Sequence, residues 1–454
     1  TYNYTDTLAS GASSAELTLG NKTVTAGPHA LKLWTSNPND TTDFNVSNDT
    51  LEFSFYGCTS LLSGSYTIGG TSPDYATFSD AVLALNQCGI NGPVTFNVAP
   101  GTYTEQFTIQ SISGASATNT VTFQSTSSDS TAVTVQYDAT TSSDNYVVAL
   151  DGAGYISFDG MTFKAQDNTY PRVVMLKQGA HDLSFTSNRF IGKTISGGAG
   201  ADSALVVVTD TIGDNFTFSH NRLEEGTRGL DINGNSIANV SVEHNEFINQ
   251  WEASAIVEGA VAPTMNYNYV NTNSLHNSYN GLQLTNASGS FEMAYNEVYA
   301  DTTMIGYGLR INTSQGDTTS HGQVYNNMVL VSGMLGTTTL SAGILNYESS
   351  FVDYYYNTIK MVGSDQNSPA LCFYDGTSGV TSNINITNNI FTNFADGYVF
   401  FSLNVDETAF SNNYNDWYAD GSGDFISLDG TVITDFAGWQ SATSGGANSE
   451  NIDP

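Results

Sequence analysis

The phrase His220-Asn221-Arg222-Leu223 returns as His244-Asn245-Glu246-Phe247, 24 residues later. Aligning the chain on that asparagine extends the series to Asp159, Asn188, Asn221, Asn245, Asn268, Asn296, Asn327, Asn357, Asn389 and Asn413, at intervals of 23 to 33 residues. An apolar residue stands three before each member (Phe185, Phe218, Val242, Met265) and another two after most of them (Phe190, Leu223, Phe247, Val270). At 326/327, 388/389 and 412/413 an Asn pair leaves the register open by one. A short core interval with variable insertions is the pattern of a solenoid whose coils are rungs of a parallel β-helix.

Each coil must turn a corner inside the stack, where backbone groups lose water and a residue tolerant of left-handed geometry is favoured. Asn meets both demands on this reading: it accepts the bend, and its amide bonds the identical amide one rung, roughly 4.8 Å, away. Asn188, Asn221, Asn245, Asn268, Asn296, Asn327, Asn357 and Asn389 are therefore expected to form a buried structural ladder.

The preceding position carries His220, His244, Tyr267 and Tyr295 on successive coils. Stacked rungs make these a stripe, which could serve as a platform for a sugar ring or a partner protein. A metal pair at the two histidines lacks a third ligand at fixed spacing, so no metal site is assigned.

The formal net charge is −33 although only 12% of residues are charged. Such a surface repels nucleic acid and anionic membranes and could collect divalent cations. No cofactor is called for; calcium is the one ion the surface invites. No apolar run reaches the length of a membrane span, and the opening "TYNYTDTLAS" is expected to be the start of a mature, exported segment cut from something longer. The three cysteines fit one disulfide and one thiol. Cys58 and Cys88 bracket a short structural unit and are paired here, a closure worth roughly 3–4 kcal/mol.

Residues 1–57 read as short strands, "YNYTDTLA", "SAELTLG", "HALKLWTS" and "TLEFSF", too few for a whole immunoglobulin-like sandwich and assigned to its C-terminal part. Residues 58–92 are assigned to a linker and capping helix. Within them Phe78, Ala81, Val82 and Leu85 share one helical face, Thr77 and Asp80 make a capping-box pattern, and Gly89 supplies the stop. Residues 93–454 are assigned to the β-helix, its coils running from about 93 to 435. The fold class is thus all-β: a parallel solenoid with an N-terminal capping helix, after a partial β-sandwich.

Cleaving an acidic polysaccharide needs carboxylates grouped on neighbouring coils, or a calcium-holding acidic group with Arg or Lys as base. Only Arg172, Arg189, Arg222, Arg228 and Arg310 exist for that role. The best constellation is Arg228, Asp231, His244 and Glu246, with Arg310 on a later coil. However, "GLDI", "GLQL" and "GLRI" recur at 229–232, 281–284 and 308–311, so Asp231 and Arg310 fall in a variable outward slot of a repeated strand. No catalytic residue is assigned. "NPNDTTDFNVSND", 37–49, raises calcium binding but lacks the Gly and terminal Glu of an EF-hand loop, and Asn45-Val46-Ser47 is a glycosylation triplet expected by chance.

The stretch "LSGSYTIGGTSPDYATFSDAVLALNQCGINGPVTFNVAPGTYTEQ", 62–106, resembles the start of pectin-lyase-like right-handed β-helix domains in very large secreted surface proteins of Bacteroidota. "ALKLWTSNPNDTTDFNVSNDTL", 30–51, resembles the end of the adhesion-type immunoglobulin-like domain that often precedes them, and "WQSATSGGANSENIDP", 439–454, the way such a helix closes. The resemblance implies a module of a multi-domain adhesin or cell-surface fibre, secreted by the type IX route. Its expected partners are other domains of the same long chain, with further copies of itself in a fibre and a glycan or cell-surface ligand as candidates. Nucleic acid and a membrane span are not expected. The leading expectation is a non-catalytic structural or adhesive module; a carbohydrate-binding β-helix using the aromatic flank, and a polysaccharide lyase or glycoside hydrolase, are the alternatives.

Overall fold

The structure, a computed structural model, describes residues 2–6, 8, 12–36, 49–167, 169–197, 200–276, 278–301, 306–333, 340–363, 367–376, 380–395, 397–420 and 425–454. It divides into two compact units, Thr1–Leu61 and Leu62–Pro454.

The first unit contains one antiparallel strand pair, Gly27–Trp34 with Thr50–Gly57. Two of the four expected strands are therefore present. The described residues of "YNYTDTLA" and "SAELTLG" form none. Segment 37–48, with the Asn45 triplet and nearly all of the acidic calcium-loop candidate, lies outside the described residues.

The second unit is a right-handed parallel β-helix. Each coil gives one strand to each of three sheets, of 13, 12 and 13 strands, visited in the same order every turn. Alternation drives this: in His181–Thr186, Leu183 and Phe185 are buried while Ser184 and Thr186 are not. Inward positions of successive rungs stack like on like, as in Phe96, Phe123, Phe158 and Phe185, whose neighbouring ring centroids lie 4.8, 5.2 and 5.6 Å apart. The solenoid begins earlier than the assigned boundary at 93. Leu62–Ile68, read from sequence as linker, is the outermost strand of the first sheet and pairs in parallel with Ile90–Val98.

Helix α1, Phe78–Cys88, is inserted between those two strands. Thr77 Oγ1 accepts the Asp80 N–H at 3.0 Å, the forward half of the expected box. The other half is replaced from afar: the Glu105 carboxylate accepts the N–H groups of Phe78 and Ser79 at 3.0 and 2.8 Å, adding a negative charge at the helix N-terminus. Gly89, at φ 71°, ends the helix and donates to Leu85 O. The buried face includes Phe78, Val82 and Leu85, and the Phe78 ring stacks on Phe107 at 5.3 Å. At the other end the third sheet folds back through an antiparallel strand, Thr431–Ile433, into helix α2, Phe436–Thr443. Trp439 of α2 is fully buried among Phe400, Phe410 and Trp417. Among the described residues the buried Cys372 is a free thiol.

From Asn188 to Asn415 the corner between first and second sheets is two residues long, and its second residue is the ladder asparagine. Asn221 shows the pattern. Its N–H and Nδ2 donate to Asn245 Oδ1 at 2.9 and 3.1 Å, while Nδ2 also donates back to Phe185 O at 2.9 Å. The same three bonds recur at Asn245, Asn268, Asn296, Asn327, Asn357 and Asn389. The open registers resolve to Asn327 and Asn389. The two ends of the series shift by two. Asn188 bonds the Met161 N–H at 3.1 Å, so Met161 and not Asp159 occupies the first corner. Asn415 and not Asn413 receives the Asn389 N–H, at 2.9 Å, and Ser449 Oγ closes the ladder by accepting the Asn415 N–H at 3.0 Å.

The left-handed residue is also not the asparagine. It is the residue before it: Ser187, His220, His244, Tyr267, Tyr295, Asn326, Tyr356, Asn388 and Tyr414 all have φ between 52 and 57°. None is β-branched, as a left-handed position requires. Each bend costs roughly 1 kcal/mol or more, and the bonds of the next residue offset it.

Asn245→Leu removes the acceptor of two buried donors of Asn221 and the donor to Phe218 O. At about 1–3 kcal/mol for each buried group left unsatisfied, the variant is predicted to lose at least about 3 kcal/mol, read as a fall in melting temperature or denaturant midpoint. An unchanged midpoint would contradict the ladder's role.

Candidate functional site

The catalytic constellation weighed from sequence does not assemble. Arg228 Nη1 bonds Asp231 at 2.7 Å, and its Nη2 bonds Glu252 in the turn just before the next strand of that sheet. Glu246 lies on the second sheet and pairs with Arg222. His244 stands at the corner between first and second sheets. Arg310 lies three strands along from Asp231 on the third sheet, at the register position Asp231–Ile256–Gln283–Arg310. That slot points out of the core, as the repeated "GLDI" motif implied, yet it is not open: Asp231 and Gln283 are buried.

The remaining arginines are similarly engaged. Arg172 bonds Asp202 at 3.0 Å. Arg189 grips Glu224 through Nε and Nη2 at 2.7 and 2.8 Å, and Arg222 reaches the same carboxylate at 2.6 Å. The Arg189 hydrogen bonds, aided by Arg222, hold the Glu224 carboxyl below its usual range. Arg310 alone has no carboxylate among the described residues; its guanidinium lies 5.5 Å from the Tyr307 ring centroid and 3.4 Å from Asn280 Oδ1, and burial lowers its pKa. Among the described residues no group of three or more His, Cys, Asp and Glu is placed to hold a metal ion.

The aromatic stripe is present, and its geometry limits what it can bind. His220, His244, Tyr267 and Tyr295 are exposed, with successive ring centroids 4.8, 4.7 and 4.6 Å apart and interplanar angles of 1, 12 and 2°. In a parallel stack the rings cover one another's inner faces, so that mainly rims meet solvent. Tyr325 then closes the far face of Tyr295 edge-on, at 5.3 Å and 75°. A sugar stacks on a ring face, so the stripe offers it little; the stacking itself stabilises the corner by about 0.5–1.5 kcal/mol per pair.

A different feature went unread in the sequence. On the connections from second to third sheet, two long loops, 192–205 and 272–278, flank two short ones, 225–227 and 249–252. Residues 194–196 and 273–275 of the long loops wall a cleft of 260 Å³ whose floor is the short turns, lined by Thr194, Glu225, Asn249, Trp251, Asn273 and Leu275 among others. The signal was in the spacing: the intervals of 24 and 23 residues at Asn221 and Asn245 lie between intervals of 33 and 28.

No family model and no curated protein matches the chain. Solved structures similar to it include the Dettilon tailspike protein, at 12% identity over 74% of this chain and 62% of that one, with a TM-score of 0.47. Others are the A-module of a mannuronan C-5 epimerase from Azotobacter vinelandii (12% identity, 83% and 96% covered, TM-score 0.43) and a pectin methylesterase from Aspergillus niger (11%, 87% and 92%, 0.24). The chain spans less than two thirds of the tailspike's length. These are β-helix proteins of several activities, and the likeness is one of fold.

Replacing Arg228 by Leu leaves Asp231 and Glu252 without their cation. The expected cost is about 3 kcal/mol, measured by denaturant unfolding, with most of it recovered when Asp231→Asn and Glu252→Gln are added. A stable Arg228→Leu protein would mean the pair is not structural.

Proposed function

We propose that this chain is a non-catalytic structural and adhesive module of a larger secreted, surface-exposed protein. The observation that carries the reading is the state of its arginines and their acids. Arg228 is held between Asp231 and Glu252, and Arg222 between Glu224 and Glu246, so the groups that acid–base chemistry would need are bonded to one another. The asparagine ladder supports a load-bearing role, because from Asn188 to Asn415 each rung is tied to the next by side-chain as well as backbone bonds. Helix α1 closes the N-terminal end of the solenoid on this reading, covering strand edges that would otherwise pair with other chains.

The finer attribution follows the resemblance at 62–106: a module of a Bacteroidota adhesin or surface fibre, exported by the type IX route, with an immunoglobulin-like domain before it and neighbouring domains or copies of itself as partners. Calcium bound by the acidic surface belongs to the same proposal.

A net charge of −33 opposes approach of an acidic polysaccharide, although salt screens that field beyond roughly 8 Å. Incubation with polygalacturonate, alginate or pectin, with and without calcium, is predicted to give neither unsaturated product by ultraviolet absorbance nor new reducing ends. Turnover that disappears in Arg228→Leu or Asp231→Asn would replace this reading with an enzyme.

A further inference from the structure

We infer that the cleft between loops 192–205 and 272–278 is a binding site for a single neutral sugar ring, such as a hexose or an N-acetylhexosamine at the end of a glycan. The inference rests on the reading of the chain as a non-catalytic module, because the cleft is taken to hold its sugar and release it unchanged.

The chemistry of the lining carries the argument. Trp251 and Leu275 supply apolar surface, the latter 55% exposed, which suits the C–H face of a pyranose. His276 meets the Trp251 ring edge-on at 5.7 Å, which fixes the indole. The Trp251 Nε1–H is buried and has no acceptor among the described residues, so the indole offers the cleft its apolar surface and not this donor. Asn249, Asn273 and Glu225 line the same space, and their side chains make no hydrogen bond among the described residues. Gln250, by contrast, is committed to the floor: its Nε2 donates to the carbonyls of Leu223, Glu225 and Ile248, and its Oε1 accepts from Ser254. The turns around Gln250 thus place amide and carboxylate groups beside an indole, the combination that sorts hydroxyl patterns.

Size and charge narrow the ligand. At 260 Å³ the cleft falls just below the range of about 300–1,000 Å³ typical of drug-sized ligands, so it takes one ring and not a chain buried end to end. Among the described residues Glu225 is the one charged member of the lining, and no Lys or Arg is among them. Uronic and sialic acids would meet a carboxylate with no cation to offset their own, which leaves neutral and N-acetylated sugars. The exposed stripe from His220 to Tyr295 is not part of this site, because its ring faces are covered.

The test uses the full chain and saturation-transfer NMR with the methyl glycosides of glucose, galactose, mannose and N-acetylglucosamine, beside glucuronate and N-acetylneuraminate. At least one neutral glycoside is expected to bind with a Kd of about 1–10 mM, the scale a single ring reaches, and the acids at least about tenfold more weakly. Trp251→Ala is expected to weaken binding at least about tenfold. Asn273→Ala, on an exposed loop, should do so by at least about threefold with an unchanged melting curve, which separates lost contact from lost fold. Tyr267→Ala should leave affinity unchanged. No binding of any neutral glycoside at about 50 mM would overturn the site, as would binding indifferent to both cleft variants or acids binding as tightly as neutral sugars. Release of methanol from a bound glycoside would leave the site standing and overturn the non-catalytic reading instead.

Discussion

The hydrogen bond from one buried asparagine amide to the next is the constraint on which the rest of this structure depends. A parallel β-helix satisfies its backbone groups within the sheets, but at every corner the chain must leave the ladder while still enclosed by its neighbours. Here the asparagine one coil further on supplies the missing acceptor: its Oδ1 takes both the backbone N–H and the Nδ2–H of the coil before it, as between Asn268 and Asn296 at 2.9 and 3.1 Å. The corner therefore has one register. Slipping a strand by a single residue would put its inward Phe or Val on the solvent face and break three hydrogen bonds at once.

The aromatic stripe follows from that corner. The residue before each asparagine must turn left-handed, with φ near 57°, and the same turn projects its side chain outward at the same place on every rung. Rungs spaced by about 4.8 Å then bring planar rings into face-to-face contact whether or not a ligand exists. His220 on His244 on Tyr267 on Tyr295 is a consequence of the backbone, and it conceals the ring faces a sugar would use. Function on such a scaffold is more readily placed where the coils differ. Loops between second and third sheets vary in length without disturbing the asparagine corner, and the cleft at Trp251 is the product of two short coils between two long ones.

Much of the solenoid was legible in the sequence because its period is read from residue type. Asn with an apolar residue three before and two after marks the corner directly, and the ladder from Asn188 to Asn389 follows from it. The ends were misread for the same reason. Met161 holds the first corner without an amide, so the pattern slid to Asp159, and at the last coil the pair Asn412-Asn413 drew attention from Asn415, two residues on. Which residue of the corner turns left-handed was not legible, since Asn tolerates that geometry but here leaves it to its neighbour. The strand Leu62–Ile68 was hidden by helix α1 lying between it and its partner in the sheet. The candidate acid–base group failed because Arg228 and Glu246 look alike along the chain while lying on different sheets. The cleft was missed although the intervals between asparagines record it, because those intervals were used to count coils and not to compare loop heights.

The most direct measurement of the central claim is hydrogen exchange at the asparagine side chains, followed by NMR on protein labelled with 15N at Asn. Each ladder Nδ2 group from Asn221 to Asn389 donates to two acceptors in the interior, so these amide protons are predicted to exchange only through global unfolding, far more slowly than those of exposed asparagines such as Asn273. Exchange of the ladder side chains at the rate of exposed amides would show that the corners are open to water, and would contradict the account.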